Sequence, residues 1–154
     1  MKSTLTADDN YFESFTKGDR FRHWRGKTVT EWDNVNISHM VMNTAEGHFN
    51  EHKMQGTDLG ERITFGGITA SIVIGLAMQD TGENVERELT LDGIRLRTPV
   101  LHGDTIYAFT EVLQTEVESD RLGRVRFRHT GVNHRDEIVF EGEREVLMLR
   151  KPQE

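Results

Sequence analysis

The sequence predicts an α+β fold in which an antiparallel sheet wraps around one buried central helix, and three observations carry that prediction. Residues 68–78, I-T-A-S-I-V-I-G-L-A-M, are apolar around nearly the whole circumference of a helix, interrupted only by the small Thr69, Ser71 and Gly75. A helix without a polar face must be buried, and this one is too short to span a membrane. Val125 and Phe127 alternate with Arg124, Arg126 and Arg128, the period-two mark of a half-buried strand. Further strand-like stretches at 87–96, 105–117 and 138–149 are separated by turn residues at Gly103, Ser119 and Asn133. The four strands after the helix are therefore expected to form an antiparallel meander.

The N-terminal third is less regular. An aromatic-spotted lead-in over 11–24 precedes a short strand at 27–29, which runs into T-E-W-D. Thr30 as N-cap with Asp33 three positions later is a capping-box start. It predicts a helix over 31–42 with Val35, Met40 and Val41 among its apolar positions. A second short helix is expected from about Asn50, with His48 on the loop between. Only Pro99 and Pro152 interrupt the chain, and no repeat or low-complexity segment divides it, so 1–154 is expected to be one domain.

Composition narrows the function classes. A chain of 154 residues is long enough to bury a sizeable core. The absence of cysteine excludes a disulfide framework, thiolate metal sites and a cysteine nucleophile, and it is compatible with a reducing cytosol. The first ten residues are polar and carry Asp8 and Asp9, so neither export nor membrane insertion is expected and a cytoplasmic location is. A formal net charge of -7 disfavours nucleic acid as the main partner but leaves a small anionic ligand open.

The most chemical-looking stretch is H-F-N-E-H, residues 48–52, which matches the H-x-x-E-H pattern of a class of zinc peptidases. A zinc site needs both histidines on one helix, a third ligand and an open coordination position. Gly47 directly precedes His48, and no downstream glutamate offers an obvious third ligand, so no metal is expected. A simpler alternative makes His48 and His52 surface residues at a helix start.

A wider window supplies a third reading. M-N-T-A-E-G-H-F-N-E-H, followed by L-G-E-R-I-T-F-G-G-I-T-A-S, resembles the MaoC-like hydratase/dehydratase family of hot-dog-fold enzymes. That family adds water to enoyl thioesters of coenzyme A or removes it from their hydroxyacyl counterparts. In its register the histidine falls on His48, the turn before the central helix on 60–62, the helix-opening glycine on Gly66, and the T-A-S on Thr69, Ala70 and Ser71. R-x-x-x-P-V-x-x-G-D-T over 95–105 is similar to the segment that follows the family's helix. The resemblance covers about 12–150, and G-K-T-V-T-E-W-D-N at 26–34 looks like the subgroup containing mesaconyl-CoA hydratase-like proteins. One departure matters: the family's aspartate is Asn43 here, and an amide can neither take nor give the proton.

The resemblance implies a hydratase or dehydratase acting on a short acyl-CoA, with coenzyme A arriving as part of the substrate and no separate cofactor. It implies His48 as the acid–base residue, its ordinary pKa near neutrality suiting proton transfer. Asn43 would hold the water, and Glu51 or Glu46 would supply the missing acceptor unless His48 acts alone. Gly66 and Gly67, at a helix N-terminus, would offer backbone N–H groups to the enolate oxygen, with Phe65 shaping the pocket. Arg95, Arg97, Arg124 and Arg126 are candidates for the coenzyme A phosphates, although alternating arginines are also an ordinary solvated strand face. Arg20, Arg22 and Arg25 are candidates for a substrate carboxylate. A homodimer is implied as the minimum assembly. A hot-dog thioesterase and a non-catalytic acyl-CoA-binding protein remain alternatives, the latter made credible by Asn43.

Overall fold

The computed structural model describes residues 2–4 and 10–153. The reading of the N-terminal stretch falls, at residues 1 and 5–9, outside them. The described strands are β1 (Lys2–Thr4), β2 (Arg20–Thr28), β3 (Val85–Leu96), β4 (Thr105–Val117), β5 (Leu122–Asn133) and β6 (Ile138–Leu149), with helices α1 (Glu31–Met40), α2 (Glu51–Met54) and α3 (Gly66–Thr81). The strands form one sheet in the order β1-β2-β4-β5-β6-β3, antiparallel throughout except for the parallel β1–β2 pair.

The expected meander holds for β4, β5 and β6 and fails for β3, which pairs with β6 at the far edge of the sheet. The neighbour of β4 on its other side is β2, a nine-residue strand that takes in much of the supposed lead-in. The reason lies in α3, which rests on β2, β4, β5 and β6. The chain thus leaves the sheet at one side and re-enters it at the other. Glycine at position 131 of β5 permits the close approach, because a Cβ there would collide with Val73 of α3.

Burial of α3 is also less complete than its composition predicts. Ile68, Val73 and Ala77 are buried, but Ser71, Gly75 and Gln79, spaced four apart, form an exposed stripe. The sheet covers one side of the helix and leaves that stripe open. No described helix is long and apolar enough to cross a membrane.

Two apolar clusters form on the sheet, the first under the segment that carries Phe12 and Phe15 and the second under α3. One gathers Phe15, Phe21, Val112, Val125, Phe127, Val146 and Met148; the other gathers Val29, Val73, Val100, Ile106, Ala108, Val139 and Phe140. A buried polar chain also occupies the interior. His23 Nδ1 lies 2.5 Å from Asp80 Oδ2, His23 Nε2 lies 2.7 Å from Thr110 Oγ1, and that oxygen lies 2.8 Å from His129 Nδ1. A carboxylate only accepts, so His23 Nδ1 carries the proton that it donates to Asp80. Nearby, Arg144 donates to the Thr81 carbonyl at the end of α3 and pairs with Glu88, placing a cation at the negative end of the helix.

The buried histidines make stability depend on pH. Burial pushes His129 down to about 3, and burial lowers His23 despite the opposing influence of Asp80. Both groups are neutral in the fold and titrate normally once unfolded. Below the unfolded value of 6.5 the unfolded chain binds the extra protons, so stability is complete above that value and falls with decreasing pH. Each group contributes a slope of about 1.4 kcal/mol per pH unit while only its unfolded form is protonated. The melting temperature is therefore expected to hold steady above about pH 7 and to decline from about pH 6.5 towards pH 4. A flat melting temperature across that window would remove the assignment of neutral buried histidines.

Candidate active site

The capping box at the start of α1 forms as expected: Thr30 Oγ1 accepts from the Asp33 N–H at 3.1 Å, and Asp33 Oδ2 accepts from the Thr30 N–H at 2.8 Å. The helix that follows is inverted relative to expectation. Its buried residues are Asn34 and Ser38, while Met40 and Val41 are exposed. Tertiary partners explain this, because the face turned inward meets backbone groups that need hydrogen bonds rather than apolar side chains.

The chain then turns through Met42, in the left-handed region at φ 59°, and Asn43 closes the turn. Its N–H donates to the Ser38 carbonyl at 2.9 Å, and its Oδ1 accepts from the Ala45 N–H at 3.0 Å. Next comes a 3-10 turn, Glu46–His48, so His48 ends a short helical turn rather than lying on an open loop. His48 is 9% exposed, and its Nδ1–H donates to the Ile63 carbonyl at 2.9 Å. His52 is exposed on the separate helix α2, so the two histidines of H-F-N-E-H do not share a helix. Among the described residues no three His, Asp or Glu side chains converge to hold a metal ion.

The segment after α2 brings the other elements in. The Ile63 N–H donates to the Gly47 carbonyl and the Thr64 N–H to the Val100 carbonyl, which fixes the approach to α3. His48, Phe65, Gly66, Thr69, Arg97 and Thr98 then line a cavity of about 370 Å³, within the size range of small-ligand sites. At the mouth of α3 the N–H groups of Ile68 and Thr69 turn back to the Phe65 carbonyl. Those of Gly66 and Gly67 have no partner among the described residues, as expected for a helix start. A Cβ at Gly66 would meet the end of the exposed Leu96 side chain, which would have to shift to admit it.

His48, Phe65, Gly66 and Arg97 thus meet at one cavity, with Gly67 beside them on α3. Asn43 and Glu51 are not among its lining residues. Glu51 instead pairs with Arg62 at 2.8 Å, and that hydrogen bond holds its carboxyl below the usual range. Glu46 is similarly engaged by Lys53. Among the described residues no carboxylate lines this cavity. Arg97 pairs with Glu141 at 2.6 Å, and Arg95 is exposed nearby on β3. Arg124 and Arg126 lie in a ladder with Glu118, Glu143, Glu145 and Asp92. Arg20 pairs with Glu111, and Arg25 with Gln79.

Residues 3–150 match the family model described as mesaconyl-CoA hydratase. The chain belongs to that family. The mesaconyl-CoA hydratase of Haloarcula marismortui is 29% identical over 158 aligned residues, covering 95% of this chain and 44% of that protein. The beta-methylmalyl-CoA dehydratase of Chloroflexus aurantiacus is 29% identical over 132 residues, covering 84% of this chain and 37% of that protein. Among solved structures, a Mycobacterium tuberculosis protein with a double hot-dog fold superposes with a TM-score of 0.87 at 22% identity, over 96% of this chain and 46% of that one. This chain therefore has the hot-dog fold and spans less than half the length of these relatives.

Within the mesaconyl-CoA hydratase family resemblance, two residues lie inside the stretches at 26–34 and 95–105 without a role having been expected of them. Asn34 and His102 stand behind His48, with Asn34 Nδ2 3.1 Å from His102 Nε2. Asn34 closes the G-K-T-V-T-E-W-D-N stretch, and its i, i+4 spacing with Ser38, on a helix whose apolar residues fail to gather on one face, is a further signal.

Proposed function

We propose that this chain adds water across the double bond of a short α,β-enoyl thioester of coenzyme A, or removes it in the reverse direction, with a mesaconyl-type acyl group as the first candidate. The observation that carries the reading is one cavity in which the tethered imidazole of His48 faces the helix start bearing the free N–H groups of Gly66 and Gly67. The hydratase and dehydratase names of the relatives support it.

In hydration, His48 takes a proton from water as the oxygen attacks the β-carbon. With Nδ1–H bonded to the Ile63 carbonyl, Nε2 is the nitrogen available to receive it. The electron pair of the double bond moves to the thioester oxygen, where the Gly66 and Gly67 N–H groups stabilise the enolate. The proton held by His48 is then delivered to the α-carbon, so one water is added and the imidazole is restored. His48 acts as both base and acid, because no carboxylate among the described residues lines the cavity. Asn43 has no part in this scheme, its amide oxygen being engaged by the Ala45 N–H. Arg97, with Arg95 beside it, is assigned to the anionic portion of the substrate, whereas the acidic ladder leaves Arg124 and Arg126 a structural role.

A second hot-dog unit is inferred to complete the assembly, most simply another copy. The strand β3 has one neighbour and exposes Leu91, Ile94 and Leu96, the kind of edge that pairing covers.

The test is absorbance at the enoyl-thioester band with crotonyl-CoA and mesaconyl-CoA, with a thiol reagent in a parallel cuvette. Loss of absorbance without thiol release is the expected result. Thiol release would instead make the protein a thioesterase. Thermal stabilisation by the ester with no spectral change would make it a binder that lacks the chemistry.

A further inference from the structure

We propose that Asn34 is the positioning residue of this site, a single amide that sets the tautomer of His48 and the entry geometry of α3 together. It is fully buried. Its Oδ1 accepts from the Phe65 N–H at 3.0 Å and from the Ser38 hydroxyl at 3.4 Å. The Phe65 donor fixes which way the amide faces, so Nδ2 is the end turned towards the His48 carbonyl at 3.3 Å, the Ile63 carbonyl at 3.3 Å and His102 Nε2 at 3.1 Å. Two hydrogens serve three acceptors, which uses the whole donor capacity of the amide.

The Ile63 carbonyl is the common element. It accepts from Asn34 on one side and from His48 Nδ1–H on the other. A carbonyl held at both lone pairs cannot rotate away, so the proton on His48 stays on Nδ1 and Nε2 stays free. At its other end the same amide takes the Phe65 N–H, the last backbone donor before α3. The donors left open at the helix start are then those of Gly66 and Gly67. Acid–base group and enolate donors are thereby referred to one rigid point on α1, whose first turn is locked by the neighbouring Thr30–Asp33 capping box. Asn34 does not line the cavity, so it acts through His48 and α3 and not by touching a ligand.

Two variants test this. Asn34→Asp keeps the shape and the acceptor for Phe65 but sets a carboxylate oxygen against two carbonyls, and Asn34→Ala removes every bond. The primary readout is the 15N shift pair of the His48 imidazole, which reports its tautomer with no substrate present. In the parent protein the proton is expected on Nδ1; in both variants, folded by circular dichroism, a mixture with the Nε2–H form is expected. The kinetic arm rests on the hydratase reading: kcat should fall by about 10²-fold for a misplaced catalytic group, with KM changed far less. An unchanged His48 tautomer in a folded variant overturns the proposal whether or not the protein is a hydratase. Failure of both variants to fold also overturns it, by making Asn34 a folding residue. Absence of hydration in the parent protein removes the kinetic arm and leaves the tautomer result to decide.

Discussion

Replacing His48 with alanine is expected to lower kcat/KM for the enoyl thioester by about 10²–10⁴-fold, the usual value of a positioned acid–base group. Among the described residues no second titratable group stands ready in this cavity, since the other charged lining residue is Arg97, paired with Glu141. The fold should survive, because the turn that carries His48 is held by backbone bonds from His48 to Ala45 and from Ile63 to Gly47. Glu51→Gln is the informative comparison. It disturbs an Arg62 contact outside the cavity and should leave the rate within about twofold of the parent. Near-normal turnover of folded His48→Ala, measured by the absorbance assay, would withdraw the mechanism.

Asp80→Ala should produce the largest loss of stability. Asp80 and His23 are both 1% exposed and joined at 2.5 Å, so deleting the carboxylate leaves a buried N–H donor without an acceptor. Leaving a buried donor unsatisfied costs about 1–3 kcal/mol. The rest of the polar chain magnifies the problem, because Thr110 and His129 depend on His23 for their orientation. Asp80→Asn retains an oxygen that accepts from His23 and should recover much of the loss. Urea unfolding of the three proteins checks the order, and a midpoint for Asp80→Ala within error of the parent would show that the chain of contacts contributes nothing.

How much of this was legible in the sequence differs from element to element. The long apolar run made α3 unmistakable, and Thr30 with Asp33 marked the start of α1, because both signals are local. The arginine alternation placed β5 correctly but said nothing of neighbours: period two reports which face a residue occupies, not which strand lies beside it. That is why β3 was expected next to β4. Of β2 only the end was expected, as the short strand at 27–29, because its inward residues include His23, a polar side chain that interrupts an apolar alternation and is satisfied only by Asp80 and Thr110, 57 and 87 positions away. Of the residues that the family register singles out, His48, Phe65 and Gly66 line the cavity, whereas Asn43 lies in a turn and Glu51 in an ion pair away from it. Asn34 was in view at the end of the stretch 26–34, but its role was not, since that role comes from carbonyls and a helix start that only folding brings together.

The two apolar clusters divide responsibilities that a single core would have to share. The cavity borrows Val100 and Val139 from one cluster, and the aromatic residues Phe15, Phe21 and Phe127 belong to the other. Side chains around the cavity can therefore be exchanged, enlarged or trimmed without repacking the aromatic end. The directional bonds among His23, Asp80, Thr110 and His129 meanwhile hold β2, β4, β5 and α3 in register. A scaffold arranged in this way can diversify its substrate at one end while its foldability is underwritten at the other.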